Sequence, residues 1–156
     1  MKKILVISNN DSIVRLFAET SSALQEIKQG EKIEIINENP PKSFKTVKEA
    51  VEKIKSTEFD VLVIGHKLKE IDFKRVFLGL EKPEDGEGLE VLKVANFVLK
   101  NKIVISDGIT PLNFPQVMSS YRKIGVRHFI NRGVTFTGRF NNLNLCLENK
   151  CNCDSL

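Results

Sequence analysis

Phe59-Asp60-Val61-Leu62-Val63-Ile64-Gly65 is the stretch on which the reading of this chain turns. Four consecutive aliphatic residues, three of them β-branched, stand between Asp60 and Gly65. A run of that length and kind describes a strand buried on both faces, as in the centre of a parallel sheet. In an open α/β sheet the site of binding or chemistry lies beyond the carboxyl ends of the strands. Gly65 therefore stands where a reacting side chain would be expected, and glycine brings no chemistry.

Working outward, 156 residues with 41% hydrophobic content make one ordinary domain, long enough to bury a core without metals or disulfides. The apolar run Ile4-Leu5-Val6-Ile7 after Lys2-Lys3 is too short for a signal peptide or a membrane span. A cytoplasmic protein with no membrane partner is the expectation. Cys146, Cys151 and Cys153 crowd into the last eleven residues, an odd number at no framework spacing, and read as reduced thiols. No metal site and no cofactor are predicted, and residues 149–156 are expected to be a disordered tail.

The net charge of +4 is unevenly placed: up to residue 107 there are 18 Lys and Arg against 18 Asp and Glu, and after it 6 against 2. Residues 108–147 contain no carboxylate, while Arg122, Lys123, Arg127, Arg132 and Arg139 fall among them. A surface of one sign attracts an acidic partner.

Taken in order, residues 3–7 predict a first buried strand, followed by the turn and capping cluster Ser8-Asn9-Asn10-Asp11. Residues 12–29 carry Ile13, Leu16, Phe17, Leu24 and Ile27 at helical period, and Gly30 stops them. Residues 32–37 alternate as an edge strand does, and Pro40-Pro41 forbids its extension. A second helix over residues 43–56 buries Phe44, Val47, Val51 and Ile54.

After the central strand, residues 66–87 are long for a connection. There Phe73, Val76, Phe77 and Leu80 keep helical spacing behind a capping Asp72, and their stripe is expected to face either the domain itself or a second subunit. A third helix (89–100), a fourth strand (102–106) broken by Asp107-Gly108, and a fourth helix (115–123) with Val117, Met118, Tyr121 and Ile124 follow. A fifth strand (127–131) and a last helix (137–148) with Phe140, Leu143 and Leu147 complete the chain.

This alternation predicts an α/β fold, a five-stranded parallel sheet in the order 2-1-3-4-5 with helices on both faces. The domain spans 1–148, with an insertion at about 66–87. At this point the residues resemble the receiver domain of two-component response regulators, a CheY-like, flavodoxin-like fold. Lys2-Lys3-Ile4-Leu5-Val6-Ile7 with Asp11-Ser12-Ile13-Val14-Arg15-Leu16 is similar to the family's opening, and 59–64 to its third strand. Asp85-Gly86-Glu87-Gly88-Leu89-Glu90-Val91-Leu92-Lys93 is similar to its Asp-Gly-led helix. Gly125-Val126-Arg127-His128-Phe129-Ile130-Asn131-Arg132-Gly133 is similar to the segment that ends in the family's Lys-Pro pair.

The resemblance implies a degenerate pocket. Ser8 and Asn9 occupy the positions of the family's Mg²⁺-binding acidic pair, and Gly65 that of the phosphoacceptor aspartate. Ser106 matches the switch hydroxyl, and Arg132 the basic residue that meets the phosphoryl group, with Gly133 in place of proline. Phosphoryl transfer needs an in-line nucleophile and a carboxylate-held divalent cation, so no catalytic residue and no enzymatic activity are predicted. Asp11 and Asp107 could supply a rearranged acidic site, which keeps an active phospho-accepting receiver as one alternative. A flavodoxin-like binder of a small molecule or nucleotide is the other, although no Gly-rich loop follows the first strand. His66 reads as a satisfied or solvent-facing histidine rather than a phosphohistidine.

The reading that results is a phosphorylation-independent signalling module, a pseudo-receiver acting by protein–protein interaction. Its interaction face is predicted at Tyr121, Arg122, Lys123, Arg127 and Arg139, in the region the resemblance marks as the output surface. Tyr121 is expected to be exposed there as an aromatic anchor for an acidic protein. A second copy of the chain is an alternative partner, and nucleic acid a weaker one because the basic residues are few.

Overall fold

The computed structural model describes residues 2–9, 33–36, 44–69, 72–82, 86–107, 115–130, 143 and 145–147. In chain order these form β1 (Lys2–Ile7), β2 (Ile33–Ile36), α1 (Val47–Ser56), β3 (Val61–Gly65), α2 (Phe73–Phe77), α3 (Gly88–Leu99), β4 (Ile103–Asp107), α4 (Pro115–Lys123) and β5 (His128–Ile130). The strands make one parallel sheet ordered β2-β1-β3-β4-β5. The expected fold and strand order are thus observed. The expected helix over 12–29, the Pro40-Pro41 block and the tail lie outside the described residues, as does most of the last helix, of which Leu143 and residues 145–147 are helical.

All five residues of β3 are buried, as a continuous aliphatic run at the sheet centre requires. Its entry is pinned by Asp60, whose side chain accepts from the Lys3 amide at 2.8 Å while its own amide donates to the Lys3 carbonyl at 2.9 Å. The Asp60 carbonyl accepts from Ile103 at 3.2 Å, so one residue ties the starts of β1, β3 and β4 together.

Helix α1 begins later than the periodicity predicts. Thr46 caps it, Oγ1 accepting from the Glu49 amide at 3.1 Å. Phe44 is buried from outside the helix, held by its amide to the Ser8 carbonyl at 2.8 Å. Ala50, Val51 and Ile54 form the buried stripe, and burial of the two branched side chains is each worth about 1.5–3 kcal/mol. Helix α1 packs beside α3, which buries Val91, Leu92, Ala95 and Leu99. Leu143 and Cys146 belong to the same core.

Helix α4 buries Met118 and Tyr121 and closes through Gly125, whose φ of 100° lets its amide reach the Arg122 carbonyl at 3.0 Å. Ile124, expected on the buried stripe, falls in this turn instead and is 37% exposed.

The insertion carries the expected short helix behind Asp72, and of the two directions expected for its stripe the structure excludes one. Asp72 caps α2 by accepting from Lys74 and Arg75, and Glu81 pairs with Lys67 at 3.6 Å and Arg75 at 3.9 Å. Yet the apolar stripe does not pack on its own domain: Phe73 is 76% exposed and Phe77 89%, with Leu78 and Leu80 also in solvent. The ion pairs and the cap hold the five-residue helix in shape without burying its side chains.

Candidate functional site

The carboxyl ends of β1, β3 and β4 bring together the residues predicted for the degenerate pocket. Ser8 directly follows β1 and is buried, and Asn9 beside it is half-buried, its carbonyl accepting from Lys45 Nζ at 2.7 Å. Gly65 ends β3. In β4, Ser106 pairs with Ile64 and is fully buried. Arg132, the fifth predicted member, and Asp11 lie outside the described residues.

Asp107 does not break the fourth strand as expected. It is the last residue of β4, the sheet partner of Gly65, and 4% exposed. A carboxylate therefore stands one strand away from the position where the acceptor of a receiver would sit. The signal for it was present in the sequence, because Ile103-Val104-Ile105-Ser106-Asp107 has the same length as Val61-Leu62-Val63-Ile64-Gly65, and equal parallel strands end side by side.

Next to Gly65 the site is closed by an aromatic bridge. His66 Nδ1 and the Tyr121 hydroxyl are 2.8 Å apart, their rings edge to face with centroids 5.6 Å apart. With the imidazole proton on Nε2, Nδ1 accepts from the phenol. Tyr121 is 0% exposed, which corrects the prediction that its ring is an exposed anchor on the interaction face. Burial, and secondarily the Glu87 carboxylate, raise its pKa well above the ordinary tyrosine range, so it is a neutral hydrogen-bonding group. His66 is the satisfied histidine of the two readings kept open for it.

Two glycines make this bridge possible. A Cβ on Gly88 would lie 2.5 Å from both the Gly65 carbonyl and the Tyr121 hydroxyl, and one on Gly86 would strike His66. The amide of Gly88 donates to the His66 carbonyl at 2.8 Å, and Glu87 Oε2 accepts from the Leu68 amide at 3.2 Å. The start of α3 is thereby fastened to the end of β3. Sequence reasoning singled out 85–93 as a helix start but not this close approach.

Of the predicted interaction face, Arg122, Lys123 and Arg127 are exposed, with the Arg122 guanidinium 5.6 Å from the centre of the Phe129 ring. Arg139 lies outside the described residues. Among the described residues no group of three or more His, Cys, Asp or Glu is close enough to hold a metal ion, and no helix is long and apolar enough to cross a membrane.

No family model and no curated protein matches this sequence. Solved structures do match. The chemotaxis response regulator CheY4 of Vibrio cholerae is 16% identical with a TM-score of 0.59, the match covering 92% of this chain and 97% of that one. The receiver domain of the Francisella response regulator 1452 is 16% identical with a TM-score of 0.61, covering 96% and 98%. The Salmonella typhimurium response regulator RcsB is 11% identical with a TM-score of 0.65, covering 97% of this chain and 64% of its own. The fold is that of response-regulator receiver domains.

Proposed function

We propose that this chain is a receiver-like signalling domain that works without phosphorylation and acts by binding an acidic protein. The observation that carries the reading is that β3 ends at Gly65, with Ser8 and Asn9 after β1. A phosphoryl group arriving there would meet no in-line carboxylate on β3, and Ser8 and Asn9 offer no carboxylate to hold Mg²⁺. On this reading Ser8, Asn9 and Gly65 carry no such chemistry, the domain is not an enzyme, and its function rests on the surfaces it presents in the cytoplasm.

Two surfaces suit a protein partner. Arg122, Lys123 and Arg127 supply positive charge that steers an acidic partner and mainly raises the association rate. With Tyr121 inside the core, the exposed aromatic anchors among the described residues are Phe73 and Phe77, flanked by Leu78 and Leu80. Aromatic side chains in such clusters dominate interface energetics. Asp72 caps α2 and Glu81 pairs with Lys67 and Arg75, so what the cluster itself offers a partner is chiefly apolar contact.

Asp107 favours a second reading, a phospho-accepting site moved by one strand. Incubation with acetyl phosphate and Mg²⁺ followed by intact-mass spectrometry separates the two. The expected result is an unchanged mass. A hydroxylamine-labile phosphoryl adduct that disappears in Asp107→Asn would overturn the phosphorylation-independent reading and establish the other.

A further inference from the structure

At the opposite end of the sheet from Gly65, where β4 and β5 begin, a groove of about 450 Å³ opens between α3 and the turn after α4. Its floor is apolar, made by Leu92, Leu99, Ile103, Val104 and Val126, with Ile124 at the edge. Ile124, exposed in the turn after α4, thus forms part of this wall. The polar lining consists of Lys93, Asn96, Lys102, Arg127 and His128, with no carboxylate.

The cations are not equivalent. Lys102 Nζ already donates to the Phe59 carbonyl at 2.6 Å and lies 5.4 Å from the centre of the Phe59 ring, so its charge is engaged beneath the sheet. Lys93 and Arg127 are exposed on the rim, and among the described residues neither pairs with a carboxylate. They stand on different elements, α3 and the approach to β5, and both line the groove. The volume is within the range of pockets that hold small organic molecules, which combine an apolar lining with a few polar groups that fix orientation.

We propose that this groove binds a small amphiphilic organic anion, its apolar body on the Leu92–Val104–Val126 floor and its carboxylate or phosphate between Lys93 and Arg127. The site is separate from the strand-end pocket and shares only Arg127 with the protein-binding face proposed above. Aliphatic carboxylates and nucleoside monophosphates share the required chemistry, and octanoate and adenosine 5′-monophosphate are the probes that distinguish them. Acetate and adenosine carry the charge alone and the body alone.

The experiment is amide chemical-shift titration of the ¹⁵N-labelled full chain. Octanoate or adenosine 5′-monophosphate is expected to give saturable shifts at Lys93, Asn96, Gly125 and Arg127, with acetate and adenosine at least roughly tenfold weaker. The better of the two probes identifies the body the floor prefers. Both rim side chains are exposed, so Lys93→Ala with Arg127→Ala leaves the fold intact, and it is expected to weaken binding roughly five- to tenfold. Raising the salt should weaken binding to the parent chain and have much less effect on the double variant. No shift at these amides with either probe at millimolar concentration would overturn the proposal. So would shifts of equal strength with acetate, or affinity unchanged in the double variant.

Discussion

Tyr121 is the only tyrosine in the chain, which makes its burial directly observable. Its folded-state pKa is raised above the ordinary 10.0, so the contribution of the neutral phenol to stability is fully present below that pH and is lost as pH rises beyond it. Absorbance at 295 nm should therefore show no phenolate at the pH where a free tyrosine is half ionised, and a sharp rise only when the chain unfolds in stronger alkali. Titration at the free-tyrosine pH in the native chain would contradict the buried bridge. Tyr121→Phe should keep the packing but remove the 2.8 Å bond to His66, at a cost of about 1–3 kcal/mol in urea unfolding. Gly88→Ala tests the other side of the bridge. The added methyl meets a backbone carbonyl that cannot rotate away, and a loss of about 1–3 kcal/mol is expected, more than the gain of alanine in helix propensity.

Among the elements, α2 is the one whose stability and exposure part company. Asp72→Ala removes its cap and should cost about 1 kcal/mol locally, seen as faster amide exchange over 73–77 with little change in global stability. Phe77→Asp, at an 89% exposed position, should leave urea stability within about 0.5 kcal/mol and reduce binding to an acidic protein partner. A large loss of stability would mean that the side chain packs on the domain after all. This element also shows where sequence reading works and where it stops. The i, i+3, i+4 spacing and the capping Asp72 located the helix, because both are local. Which way the stripe faces depends on what lies across from it, and nothing in the spacing of Phe73, Val76 and Phe77 carries that. Tyr121 failed for the same reason: it keeps the helical period of Met118, and its partner His66 is 55 residues away. Strand order was legible because β-branched runs and alternation restrict the topologies, whereas the Gly65–Asp107 pairing needed the register as well.

For the whole molecule, charge and sheet have separate roles. Replacing Arg122, Lys123 and Arg127 together with glutamate changes exposed positions only, so the melting temperature should stay nearly constant while association with an acidic partner slows and loses its salt dependence. Unchanged association kinetics, measured by surface plasmon resonance at two ionic strengths, would remove this face from the function.

The place of β1 between β2 and β3 has a consequence for how the chain first acquires its shape. Strand β1 leaves the ribosome before either neighbour, yet Ile4 pairs with Val61, and the Lys3 amide waits for a carboxylate 57 residues further on. Until that point has been synthesised, an aliphatic edge meant for the middle of a sheet has one side open. Closing a loop of this length precedes any reward from the contacts it makes, so folding is expected to be slow for the size of the chain, and nascent fragments ending before β3 will be sticky. The acidic Asp60 at the mouth of β3 is then the latch for the open side of the waiting strand, reached only after β2 and α1 have been synthesised.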